Sequence, residues 1–195
     1  MKNTYYRFII GLVFIGALAG CGGGMGAPGS SNSDSTGIII QSAGMTVSSP
    51  DINAFNVCAD GKTVGPGLKR TDGTLKISAA ALVAGATDDP FPATLQQCTI
   101  TYLKANEDPA SPIIETFTIY PDCPIVNGAA TCPVTVMDIS RKDKWALDVT
   151  GGSFASSEHP SHYVAVADCQ YMNVFGKVGT FTTQLDIWLA WFPVC

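Results

Sequence analysis

The residues best suited to chemistry in this 195-residue chain are its two histidines, which stand in the segment Glu158-His159-Pro160-Ser161-His162. Two imidazoles beside a carboxylate could hold a divalent transition metal, because such ions accept these ligands in proteins. Pro160 prevents a continuous helix from placing both imidazoles on one face. The chain has no third histidine, so a closed metal site would need an outside carboxylate. The sequence favours the simpler interpretation, a solvated loop leading into a strand at His162.

Other catalytic arrangements find little support in the sequence. A serine hydrolase needs a nucleophile, a base and an oxyanion hole, and the chain has no Gly-x-Ser-x-Gly motif. A Ser-His-Asp triad built on His159 or His162 would have to assemble in space, without a sequence motif. We therefore predict no catalytic residues. The N-terminal residues predict a covalent lipid, and no other cofactor is expected.

The first 21 residues have the organisation of an export signal. Lys2 and Arg7 precede an unbroken apolar run over residues 8–19, which leads through small residues into Cys21. The run has 12 residues, whereas a helix that spans a bilayer needs roughly 20. A short apolar run behind a basic start and before small residues is typical of a cleavable signal peptide.

The segment Leu18-Ala19-Gly20-Cys21 resembles the cleavage site of bacterial lipoproteins. The resemblance implies that residues 1–20 are the signal peptide and that fatty acyl chains are attached to Cys21. Three chains, as in that family, would hold the protein stably, whereas a single chain detaches readily. Gly22 stands where an aspartate would favour the inner membrane, so the resemblance favours an extracytoplasmic protein anchored to the outer membrane. A plain secretory signal without lipid is the alternative.

A tether and a single domain are expected to follow Cys21. Residues 22–36 consist mainly of Gly and Ser, a composition that predicts a flexible coil with a reach of roughly 20–25 Å. Residues 21–36 are therefore assigned to the lipidated cysteine and its tether. Residues 37–195 are assigned to one domain, since their number suffices for a single hydrophobic core.

Composition excludes several classes of protein and partner. The eleven cations include Lys2 and Arg7 of the signal, so the mature chain has nine against sixteen acids, a net charge of −7. Such a balance argues against nucleic acid as a partner and against direct attraction to anionic headgroups. It leaves the membrane, held through the lipid, and an envelope protein or glycan as expected partners. The basic trio Arg141, Lys142 and Lys144 is expected in a solvated loop.

Six cysteines remain beside Cys21, and an even number outside the cytoplasm predicts disulfides. Asn127-Gly128 predicts a type I′ turn. Centring a hairpin there pairs Val126 with Ala129, Ile125 with Ala130 and Cys123 with Cys132. The cysteine pair then falls within disulfide distance, although Pro124 cannot donate the hydrogen bond that its position requires.

The other four cysteines allow three connectivities. We prefer Cys98 with Cys169, because both fall in the middle of predicted strands. This choice leaves Cys58 with Cys195, which both fall at strand ends.

The chain from residue 37 onward predicts an all-β fold. Short segments that alternate in hydropathy are separated by turn residues, with little helical periodicity. The arrangement predicts an antiparallel β-sandwich of about nine strands, which resembles immunoglobulin-like domains in architecture. The predicted strands are 38–47, 52–58, 74–83, 94–104, 113–120, 129–137, 144–149, 162–172 and 179–192.

The last two predicted strands carry the second candidate site. One face of residues 181–191 holds the apolar residues expected to point inward, and Trp188 and Phe192 lie on the opposite face. Either this strand is covered on both sides, which the sequence favours, or the aromatic pair forms a patch that binds a partner.

These observations predict a non-catalytic, lipid-anchored envelope protein that acts as a binding or structural module. The first alternative is a carbohydrate- or protein-binding module that uses Trp188 and Phe192. The second is a metal-binding envelope protein, or a metal-dependent enzyme, that uses His159 and His162 with Glu158.

Overall fold

The computed structural model describes residues 36–53, 69–83, 87–105, 111–152 and 160–190. Within these ranges the chain forms nine strands and one helix. In order they are β1 (Ile38–Val47), β2 (Asp51–Asn53), β3 (Thr71–Ala81), β4 (Ala93–Lys104), β5 (Phe117–Ile119), β6 (Cys123–Ile125), β7 (Ala129–Met137), α1 (Ile139–Thr150), β8 (Ser161–Met172) and β9 (Val178–Ala190).

The strands form two sheets that enclose the core. One sheet has the order β1-β3-β7, and the other has the order β2-β9-β8-β4-β5, with β6 also paired to β4. All described pairs are antiparallel except β2 with β9. If β1, β3 and β7 are strands A, B and E, and β4, β8 and β9 are C, F and G, this is the order of an immunoglobulin-like sandwich. The predicted all-β sandwich is confirmed.

Buried side chains alternate along the long strands and fill the space between the sheets. In β8 every second residue from Tyr163 to Tyr171 is buried, as the period of two requires. In β9 the buried face includes Phe181, Thr183, Ile187 and Leu189. Trp191, expected on the same face, lies outside the described residues. The opposing sheet contributes Ile38, Ile40, Met45, Leu75, Ile77, Ala79, Cys132, Val134 and Val136.

Two disulfides stabilise this core. Cys98 of β4 and Cys169 of β8 are directly opposite in the ladder, with Cα atoms 4.0 Å apart. Cys123 and Cys132, with Cα atoms 5.7 Å apart, join β6 in the larger sheet to β7 in the smaller. Both are among the predicted pairs; the third predicted pair, Cys58 with Cys195, lies outside the described residues.

The turn at Asn127-Gly128 forms as predicted, but the hairpin beyond it does not. Both turn residues have positive φ, 50° and 77°, and Val126 pairs with Ala129. The predicted pairing of Ile125 with Ala130 is wrong, because β6 turns away to pair with β4. Gly128 is required here, since a Cβ would lie 2.2 Å from the carbonyl oxygen of Ala79.

The strand predicted at residues 144–149 is wrong, because this segment belongs to α1. Asp138 caps the helix, and its side chain accepts a hydrogen bond from the backbone N–H of Arg141 at 3.0 Å. Lys142, Trp145 and Ala146 are buried. Their spacing of three and four residues is that of one helix face, which packs on the sandwich.

The sandwich has two distinct ends. We call the end that contains Thr36, the first described residue, the N-terminal end. It also contains the last residues of β8 and the residue that follows them. Tyr171 Oη is 3.0 Å from Thr36 Oγ1, and Asn173 Nδ2 donates to the Thr36 carbonyl at 2.8 Å. Thr36 is 2% exposed, so it belongs to the fold rather than to the predicted tether. The opposite end, the helical end, holds α1 and the start of β8.

Removing either disulfide should lower the free energy of unfolding, and the longer loop should matter more. The bridges close loops with sequence separations of 71 and 9 residues. On the chain-entropy model we expect losses of about 4 kcal/mol for Cys98→Ala with Cys169→Ala and about 3 kcal/mol for Cys123→Ala with Cys132→Ala. Denaturant titrations of the two double variants measure the order, and a larger loss for the second would contradict this ranking.

Candidate binding site

The candidate site lies at the helical end, on the outer face of the larger sheet. His162 of β8 and Trp188 of β9 are directly opposite in the antiparallel ladder. Both alternate with buried neighbours, so their side chains point away from the core. The imidazole and indole rings stack, with centroids 4.5 Å apart and planes 10° apart.

Asp186 completes this cluster and fixes the imidazole. It lies two residues before Trp188 and therefore on the same face of β9. Its Oδ1 is 2.9 Å from Nε2 of His162, so an N–H at Nε2 donates to the carboxylate. The His162 side chain is 23% exposed and that of Asp186 is 57% exposed. The ring is thus held on one side by the indole and at its edge by the carboxylate.

The fold does not depend on this cluster. An exposed ion pair contributes at most about 1 kcal/mol, and a stacked ring pair contributes about 0.5–1.5 kcal/mol. The buried residues between the sheets supply the stability instead. Side chains already held in one conformation lose less entropy when a ligand binds, so the arrangement suits a preformed binding surface.

The structure places only one of the predicted metal ligands. His159 and Glu158 lie outside the described residues, and Nε2 of His162 is paired with Asp186. The parts of the chain that the structure describes contain no group of three or more His, Cys, Asp or Glu residues able to hold a metal ion.

The structure also places one of the two predicted patch residues. Trp188 is half-buried and points outward, whereas Phe192 lies outside the described residues. Asp186 was not among the residues predicted from the sequence. The signal for it was present, because Asp186 shares the outward face of Trp188, but its pairing with His162 needed the register of β8 against β9.

The basic trio is not a solvated loop, because all three residues lie in α1. Arg141 clamps the segment before β5: its Nε donates to the Glu115 carbonyl at 2.7 Å and its Nη2 to the Thr116 carbonyl at 2.6 Å. Its guanidinium also lies 4.5 Å from the centroid of the Phe117 ring. Arg141 therefore has a structural role at this end of the sandwich.

Lys142 also has an internal position rather than a place on a solvated loop. It is 5% exposed, and its Nζ donates to the Lys69 carbonyl at 2.6 Å. Burial lowers the pKa of its amine, and the charge of Asp72 opposes part of this effect. The amine is consequently a buried hydrogen-bond donor rather than part of a basic surface.

Comparisons with protein-family models, with curated proteins and with solved structures found no match for this chain. In the ranges that the structure covers, no helix has both the length and the apolar character needed to cross a bilayer.

Lys142 should make stability depend on pH in the alkaline range. The pKa of Lys142 is lower in the folded protein than the ordinary 10.5. At pH values between the folded pKa and 10.5, the unfolded chain therefore binds more protons than the folded protein. The free energy of unfolding rises with pH in this range. We expect wild type to gain stability relative to Lys142→Met as the pH rises toward the ordinary lysine pKa of 10.5. Denaturant unfolding followed by circular dichroism measures this gain.

Lys144→Met provides the matched control for this experiment, because it removes a charge from the half-exposed face of the same helix. A stability difference between wild type and Lys142→Met that does not change with pH would contradict the assignment.

Proposed function

We propose that this protein is a non-catalytic, lipid-anchored binding module of the bacterial cell envelope. Its N-terminal end faces the membrane, and its helical end presents the cluster of His162, Trp188 and Asp186 to a partner. The observation that carries the proposal is the placement of Thr36 and this cluster at opposite ends of the same sandwich.

The disulfides and the N-terminal sequence support the anchor. Disulfides persist in oxidising compartments, so the two described bridges indicate an extracytoplasmic protein. The segment ending in Cys21 resembles a lipoprotein signal, which supports acylation of that cysteine and an outer-membrane location.

The length of the sheet supports the outward orientation of the cluster. The His162–Trp188 pair lies ten ladder positions from the Met172–Val178 pair at the N-terminal end. At about 3.4 Å per residue, this separation is roughly 34 Å. A partner could therefore reach the cluster while the other end remains close to the bilayer.

A glycan is the ligand class that the cluster favours. Stacked rings offer apolar surface to a sugar, and the exposed Asp186 carboxylate accepts hydrogen bonds from hydroxyl groups. The indole and imidazole are already ordered by their mutual stacking. The net negative charge of the chain also disfavours a polyanionic ligand.

The anchor can be tested with the protein from its native envelope. We expect wild type in the membrane fraction, with an intact mass that matches cleavage before Cys21 and added acyl chains. Cys21→Ser should lose the acyl chains and leave the membrane fraction or retain residues 1–20. A wild-type product without lipid, or with residues 1–20 still attached, would refute the anchor.

The binding surface can be tested with an array of soluble bacterial-envelope oligosaccharides. We expect Trp188→Ala and Asp186→Ala to weaken binding at least tenfold, because each removes one part of the cluster. Thr180→Ala is the matched control, since Thr180 is an exposed residue of the same strand near the N-terminal end. Failure of wild type to bind any glycan, or equal binding by Trp188→Ala, would reject a glycan site at this cluster.

A further inference from the structure

The N-terminal end of the sandwich carries a cluster of exposed apolar side chains. Leu82 and Val83 follow β3, and Val174, Phe175 and Val178 lie in and beside the loop between β8 and β9. Their exposed fractions range from 45% to 63%. Large apolar side chains are equally exposed at the helical end, for example Leu103, Ile113 and Leu147. The five at the N-terminal end are distinguished by their position, because they lie in and beside two loops next to Thr36, and loop tips in water normally carry polar residues. We call these five residues the apolar tip.

The two loops of the apolar tip meet in one shared concavity. Leu82, Val83 and Phe175 line it together with Thr36 and Lys177. Thr36 is the residue at which the chain enters the fold, so the apolar tip surrounds the point of entry. The apolar tip therefore lies beside the residue at which the described chain begins.

We propose that the apolar tip lies in the interfacial layer of the bilayer and contacts lipid directly, in addition to the acyl anchor. This inference rests on the proposed acylation of Cys21. A protein held only by its tether could adopt many orientations, whereas a tip in contact with lipid fixes the sandwich upright and directs its helical end away from the membrane.

The length of chain before Thr36 supports lipid as the occupant. Residues 22–35 separate Cys21 from Thr36, and their composition predicts a reach of roughly 20 Å. The tip is thus confined close to the surface by its own chain, which raises the effective concentration of lipid around it. Apolar side chains at a membrane surface bury themselves at the boundary between headgroups and acyl chains.

The charges around the apolar tip limit how deeply it inserts. The Lys177 amine can extend to lipid phosphates while its methylene groups remain among apolar groups. Asp88 lines the same concavity, and its carboxylate must stay in water. The contact is therefore shallow, and it depends on apolar side chains rather than on attraction between opposite charges.

Tryptophan placed in the apolar tip can report its contact with lipid. The acylated full-length mature protein is reconstituted into phosphatidylethanolamine–phosphatidylglycerol vesicles that contain lipids brominated near the headgroup end of their acyl chains. Phe175→Trp and Val83→Trp each introduce a reporter in a separate loop. We expect bromolipid to quench the emission that each variant adds by at least twofold.

The protein also offers matched controls for this measurement. Of the three native tryptophans, Trp145 and Trp188 lie at the helical end and Trp191 lies outside the described residues. Wild type supplies the baseline that is subtracted from each variant, and Trp145 and Trp188 should show little quenching. Leu103→Trp places a reporter at a residue of similar exposure, 53%, at the helical end of β4, and it should not be quenched either.

The outcomes separate this inference from the proposed anchor. Intact mass first establishes whether the protein is acylated. Absence of acyl chains would overturn the anchor and the lipid contact together. If the acylated protein binds vesicles but Phe175→Trp and Val83→Trp are quenched no more than Leu103→Trp, the anchor stands and the lipid contact is refuted. Emission of the tip reporters that shifts with protein concentration, without quenching by bromolipid, would assign the tip to a second copy of the chain and also refute the lipid contact.

Discussion

The pairing of β8 with β9 is the constraint on which the rest of the molecule depends. The two strands remain in register from Ser161–Leu189 to Met172–Val178. At the helical end this register places His162 opposite Trp188. At the N-terminal end it places the loop between β8 and β9 at the edge of the sandwich. A slip of one residue would exchange the inward and outward faces, so the core and both ends are specified together.

Hydrogen bonds between the two sheets fix how the sheets are aligned with each other. The Tyr102 hydroxyl of β4 donates to the Val136 carbonyl of β7 at 2.5 Å, and the Thr183 hydroxyl of β9 donates to the Ala43 carbonyl of β1 at 3.1 Å. Burial raises the pKa of the Tyr102 phenol, which therefore remains a neutral donor. Since both bonds would be lost if the sheets shifted, they select one alignment of the sandwich.

Alternation was sufficient to predict the long strands, because it follows directly from a period of two. The Cys98–Cys169 pair was predicted from the position of both cysteines in the middle of predicted strands. The same pattern failed at residues 144–149, where a short apolar alternation also fits a helix. The Asp138 cap and the helical spacing of Trp145 and Val149 were the overlooked signals.

Asp186 could not be assigned a partner, because strand register depends on tertiary packing rather than on local sequence. The roles of Arg141 and Lys142 were missed for a related reason, since a charge pattern does not reveal which cations the fold encloses.

The internal use of cations has a consequence for the surface. The guanidinium of Arg141 is engaged by two carbonyls and by Asp138, and the amine of Lys142 is turned toward the Lys69 carbonyl. Neither group is therefore free to attract anionic headgroups, although both count in the net charge. Fewer cations are therefore available at the surface than the composition indicates, so electrostatic attraction to an anionic membrane would be weaker still. Under the proposed anchor, association with a bilayer would come from acyl chains and apolar side chains, whose contribution does not depend on the sign of the surface charge.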